Sequence, residues 1–87
     1  MYVILVYDVG EKRVGKMLKL CRRYLSWIQN SVFEGNLSKA QLRDLKIQIE
    51  GIIDKEKDSV IFFSSRVEYS MDREILGKER MSVDNFL

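Results

Sequence analysis

Met1-Tyr2-Val3-Ile4-Leu5-Val6-Tyr7-Asp8 opens the chain with an apolar run that ends abruptly on an acid. Its length and its β-branched and aromatic residues predict a strand. Side chains alternate along a strand, so Tyr2, Ile4 and Val6 point one way while Val3, Leu5 and Tyr7 point the other. Both faces are apolar. A second run of this kind, Ser59-Val60-Ile61-Phe62-Phe63, sets Ile61 and Phe63 against Val60 and Phe62. Continuous apolar runs of strand length suggest strands covered on both sides.

Between these runs the pattern changes period. From residue 11 to 25, Val14, Met17, Leu18, Cys21 and Leu25 recur three and four apart and predict an amphipathic helix. Its other side carries Lys12, Lys16, Lys19 and Arg23, flanked by Arg13 and Arg22, with Glu11 as the one acid. Such a ridge suits phosphates, although a solvated helix face is the ordinary meaning of a charge run. Trp27 to Leu37 reads as two short strands broken by the turn-forming Gln29-Asn30-Ser31, the second strand being Val32 to Leu37. Ser38 and Gln41 then spell a capping box, with Leu37 and Leu42 as a hydrophobic staple. A second helix follows, its apolar face made by Leu42, Leu45, Ile49, Ile52 and Ile53 and its end expected near Asp54. The charged Lys55-Glu56-Lys57-Asp58 is read as a loop. Beyond Ser64, Arg66-Val67-Glu68-Tyr69 alternates like an edge strand, 70–82 reads as a polar linker, and Val83 to Leu87 regains apolar character.

Composition narrows the chemistry. The 87 residues make one domain, and a chain this short buries only a modest share of its surface. No apolar run approaches the ~20 residues that span a bilayer, and the start lacks the basic segment of a signal peptide, so a cytosolic, soluble protein is expected. Histidine is absent and Cys21 is the lone cysteine. Imidazole zinc sites, hydrolase triads and an internal disulfide are thereby excluded. Chemistry is left to carboxylates, hydroxyls, Lys and Arg, and a hard metal ion. The net charge of +2 does not by itself mark a nucleic-acid binder.

Strand, helix, strand, strand, helix, strand is the order of an α+β, ferredoxin-like fold, a four-stranded antiparallel sheet with both helices on one face. Residues 1–69 would form this domain, and 70–87 a linker ending in an additional strand. Two helices cover one side of the sheet, yet the first and fourth strands are apolar on both. A monomer would expose a patch that needs a partner, and a two-fold homodimer is the economical remedy. The apolar C-terminal end is expected to pack on the sheet edge of the partner subunit.

Asp8 has two readings at this point. With Glu11 three residues on, it makes a plausible helix N-cap pair. Placed near a two-fold axis, it instead supplies one of two carboxylates that hold a divalent ion between subunits. Two such acids would repel and raise the apparent pKa of the pair, so metal entry competes with protons and binding fades toward acid pH.

Tyr7-Asp8-Val9, the basic helix after it, and Gln29-Asn30-Ser31-Val32-Phe33-Glu34-Gly35 at its distance from that motif resemble the small CRISPR-associated adaptation proteins, described in many members as endoribonucleases. Asp58-Ser59-Val60-Ile61-Phe62 is similar to that family's fourth strand, and the likeness is weakest from about Ser70 onward. The resemblance implies a homodimer with one Mg2+ shared at its interface, hydrolysis of RNA or DNA phosphodiesters, and partnership with the CRISPR adaptation integrase. Carried over by position, Asp8 is the catalytic metal ligand, Tyr7 and Phe33 are neighbouring site residues, and Arg13 contacts phosphate. Lys16 and Lys19 join them as backbone contacts. Trp27 stands where some relatives carry an arginine. A non-catalytic scaffold that bridges the integrase and binds prespacer duplex is the alternative. A third reading is an RNA binder that stacks bases on Phe62, Phe63 or tyrosines of an open sheet.

Overall fold

The computed structural model describes residues 1–66. The elements are β1 (Tyr2–Asp8), α1 (Glu11–Tyr24), β2 (Ser26–Gln29), β3 (Val32–Asn36), α2 (Lys39–Glu50) and β4 (Ser59–Ser65). The strands form one antiparallel sheet in the order β2-β3-β1-β4, which is the ferredoxin-like arrangement. The edge strand expected at Arg66–Tyr69 lies outside the described residues except for Arg66, which follows the end of β4. The linker 70–82 and the terminal strand 83–87 lie outside them entirely.

Alternation along β1 sorts its side chains as the sequence requires. Val3, Leu5 and Tyr7 are buried in one core with Phe33 of β3, Met17, Leu20 and Cys21 of α1, and Leu42, Leu45 and Ile49 of α2. Both helices therefore cover the same face. On the opposite face, the β1 register sets Ile4 beside Glu34 and Phe63, and Val6 beside Val32 and Ile61. Ile61 and Phe63 are 48% and 58% exposed, which makes an uncovered apolar stripe along the pair β1 and β4. At its rim the Tyr2 hydroxyl donates to Glu34 Oε2 over 2.7 Å.

Local chemistry sets the element ends. Ser38 Oγ accepts from the Gln41 N–H at 3.1 Å while the Ser38 N–H donates to Gln41 Oε1 at 2.9 Å, a reciprocal cap. Leu37 and Leu42 are both buried beside it. α2 ends at Glu50, earlier than the apolar spacing implied, because Gly51 closes the last turn on Ile47 and Gln48 carbonyls. Ile52 and Ile53 still pack on the core from the turn that follows. The hairpin between β2 and β3 turns through Asn30 at φ 46°, a left-handed conformation that asparagine tolerates. A register shift between Trp27 and Gln29 bulges β2.

The buried stripe of α1 differs from its periodic reading. Leu20 is buried, whereas Val14 is 41% exposed. Leu20 and Val14 flank the Met17–Cys21 line on opposite sides, and the core closes over the Leu20 side.

Candidate functional site

Asp8 is the last residue of β1 and shares the parity of Tyr2, Ile4 and Val6, so it belongs to the open face. It pairs with Ser59 at the start of β4. The residue is exposed, and among the described residues its carboxylate takes part in no hydrogen bond or ion pair. The N-cap reading is overturned here. Gly10 occupies the N-cap of α1, and no side chain caps that end.

The neighbouring loop is held by an acid to which the sequence reading gave no role. Asp58 Oδ1 accepts from the Gly10 N–H at 2.8 Å and from Arg13 Nη2 at 2.9 Å. Its Oδ2 accepts from Arg13 Nε at 2.5 Å and from the Asp54 N–H at 2.8 Å. The Asp58 N–H donates in return to the Asp54 carbonyl at 2.7 Å, so the loop 54–58 closes on itself. The Asp58 side chain is 0% exposed and that of Arg13 24%. Hydrogen bonding from the Arg13 guanidinium, followed by the backbone N–H groups of Asp54 and Gly10, holds the Asp58 carboxyl well below the usual range despite its desolvation. The signal for this contact was topological. Antiparallel pairing of β1 with β4 brings the residue before β4 next to the loop after β1.

Arg13 is therefore no freely solvated charge: its Nε and Nη2 donate to Asp58. Tyr7 and Phe33 belong to the helix-covered core. They are 5% and 0% exposed, their rings stack at a centroid distance of 6.1 Å, and they face the helices, the side opposite Asp8. Neither meets a molecule approaching the open face. Both anchor the strands on which that face is built. Burial, reinforced by Cys21, pushes the Tyr7 phenol above its ordinary pKa.

Lys12, Lys16, Lys19 and Arg23 are exposed along α1, and none of the three lysines forms an ion pair among the described residues. Their spacing leaves a continuous basic ridge with only Glu11 to offset it. Base stacking on the sheet finds less support. Phe62 faces the helices with Lys46 Nζ over its ring at 5.2 Å, which leaves Phe63 and Tyr2 on the open face.

Among the described residues no three acidic, histidine or cysteine side chains gather in a metal-holding group. Asp58 cannot add a ligand, since each of its oxygens already accepts two hydrogen bonds. Asp8 remains, exposed and uncommitted among the described residues. Magnesium binds through one or two carboxylates with waters and substrate phosphates completing its shell, so one Asp8 from each of two chains fits it.

Comparison with known proteins bears on this geometry. The profile of the family described as CRISPR associated protein Cas2 matches residues 1–72. A protein of Dictyoglomus turgidum named CRISPR-associated endoribonuclease Cas2 is 48% identical over 87 residues, the full length of both chains. A solved structure described as the crystal structure of cas2 superposes with a TM-score of 0.82 at 44% identity, covering 92% of this chain and 90% of the other. Streptococcus pyogenes Cas2, solved at pH 6.5, gives 0.70 at 35% identity over 82% of this chain and all of its own. No helix among the described residues is long and apolar enough to cross a membrane. With strand order, helix placement and sequence in agreement over most of its length, the chain belongs to the Cas2 family of CRISPR-associated proteins.

Proposed function

We propose that the protein is a magnesium-dependent endoribonuclease or endonuclease of CRISPR adaptation, working in the cytoplasm as a homodimer alongside the CRISPR integrase. The observation that carries this reading is the position of Asp8, an exposed and uncommitted carboxylate that ends the strand bearing the uncovered apolar stripe. Whatever covers that stripe also approaches Asp8. If the cover is a second copy related by a two-fold axis, both acids meet at one interface. The relatives' shared name, endoribonuclease, supports the reaction class.

In this mechanism the two Asp8 carboxylates would hold the ion, and Lys16 and Lys19 would seat the phosphate backbone of the nucleic acid. The chemistry such an ion would supply is activation of a water and neutralisation of charge on the scissile phosphate, which requires no histidine. Tyr7 and Phe33 fix the strand from its buried side, so Asp8 stays at the strand end. The test is Asp8→Asn. Cleavage of a single-stranded RNA and of a duplex DNA should fall at least about 100-fold, the scale of losing a principal charge-stabilising group. The dimer should persist in sedimentation. Undiminished cleavage by the variant overturns the assignment of the chemistry to Asp8.

A second reading is favoured by the exposed lysines of α1, which dimerisation would double. In it the dimer is a scaffold that bridges integrase subunits on prespacer duplex. Spacer acquisition that survives Asp8→Asn while cleavage is lost would assign the protein to that role.

A further inference from the structure

We propose that Asp58 and Arg13 are positioning residues for Asp8, a clamp that fixes the loop Val9-Gly10 so that the carboxylate is presented in one orientation. This rests on reading Asp8 as the metal ligand. Asp8 lies between two attachments. Its backbone pairs with Ser59, the residue after Asp58, and two residues beyond it the Gly10 N–H donates to Asp58 itself. Arg13 closes the ring from the first turn of α1, its own N–H donating to the Gly10 carbonyl at 2.8 Å. The strand end, the helix start and the loop 54–58 are thus joined through one carboxylate, which is fully saturated and shielded from water.

Gly10 supplies independent support. Its φ of −58° and ψ of 148° are ordinary extended values, so no backbone demand calls for glycine. What calls for it is room. A Cβ at this position would lie 2.4 Å from Arg13 Nη2 and 3.1 Å from Cζ, because the guanidinium lies against the loop backbone. Gly10→Ala therefore disturbs the Arg13 end of the clamp while keeping the N–H that Asp58 accepts.

Mn2+ binding to the full-length protein, followed by electron paramagnetic resonance without substrate, tests the proposal. Asp58→Asn and Arg13→Ala should each weaken binding about 10–100-fold, the range for residues that orient metal ligands. Arg13→Ala carries the decision. Simple electrostatics predicts that deleting a cation near a cation site tightens binding, whereas lost positioning weakens it. Gly10→Ala should weaken binding in the same sense, and in the Arg13→Ala background it should add nothing. Binding by Arg13→Ala at or above wild-type strength overturns the proposal. If Asp58→Asn does not fold, wild-type binding by Gly10→Ala overturns it equally. Asp8→Asn separates the two levels. Wild-type Mn2+ binding by that variant sinks the metal-site reading, whereas its loss beside unchanged Arg13→Ala and Gly10→Ala sinks the clamp alone.

Discussion

Phe63→Ser is the perturbation that bears most directly on the proposed dimer. Phe63 sits beside Ile4 on the open face, 58% exposed, so its loss leaves the helix-side core untouched. A phenylalanine carries roughly 200 Å² of surface, of which roughly 100 Å² remains here to be covered by a partner. At about 25 cal/mol per Å² that area is worth about 2.5 kcal/mol. A two-fold interface repeats the residue, which doubles the loss to about 5 kcal/mol per dimer and raises the dissociation constant about 10³-fold or more. Sedimentation equilibrium across a wide range of protein concentration reads this shift. Cleavage gives a second readout. If both Asp8 carboxylates are needed, activity per chain in Phe63→Ser should climb with protein concentration, whereas the wild type is already saturated. A variant that stays dimeric at wild-type concentrations, with activity per chain independent of concentration, refutes the placement of the interface on this face.

Two further outcomes follow from the charges. Replacing Lys16 and Lys19 together by Glu should weaken duplex binding and flatten its dependence on salt, since log affinity falls by about 0.9 per neutralised phosphate for each decade of salt; a binding isotherm and salt slope equal to wild type would remove the ridge from the interface. Stability should also be limited at both ends of the pH scale. The native pKa of Asp58 is depressed, chiefly by Arg13, so its contribution is complete above the unfolded value of about 4 and is lost as pH falls below it. The native pKa of Cys21 is instead pushed up to about 12 by burial, from an ordinary value of 9.0, so stability declines as pH rises past the lower figure. Thermal melts of the wild type should drop at both ends. The acid limb should flatten in Asp58→Asn and the alkaline limb in Cys21→Ala, and limbs unchanged in those variants would count against the assignment.

The parts of the fold legible in the sequence were those fixed within a few residues. Ser38 and Gln41 announce α2 because a capping box is a local hydrogen-bond exchange. The two-faced runs at β1 and β4 announce strands because period 2 is a property of the backbone. Tyr7 and Phe33 show the limit of motif likeness. The family resemblance implied that they neighbour the Asp8 site, yet alternation sends Tyr7 to the other face, and the pairing of Leu5 with Phe33 sends that ring there too. Leu20 was missed because periodicity defines a stripe without saying which border the sheet will cover. Asp58 was harder still. A charged loop is ordinarily solvated, and its burial against Arg13 depends on a strand pairing between opposite ends of the domain.

That pairing also explains how one strand serves three ends. Val3, Leu5 and Tyr7 join the core under the helices, while Ile4 and Val6 belong to the exposed stripe. Asp8 continues the second set by one step, so the acid is delivered to the open face by the alternation that places the apolar residues there. Moving it one position along β1 would turn the carboxylate toward Phe33 and Cys21, where burial favours its protonated form and bars a metal. The chain thus needs no separate device to bring two acids together. In the proposed dimer, covering Ile4, Val6, Ile61 and Phe63 with a second copy would stabilise the association, and the same parity would carry Asp8 to the edge of that contact. What alternation leaves open is the orientation of the side chain on the last ladder residue, and that is the point at which Asp58, Arg13 and Gly10 close around the loop.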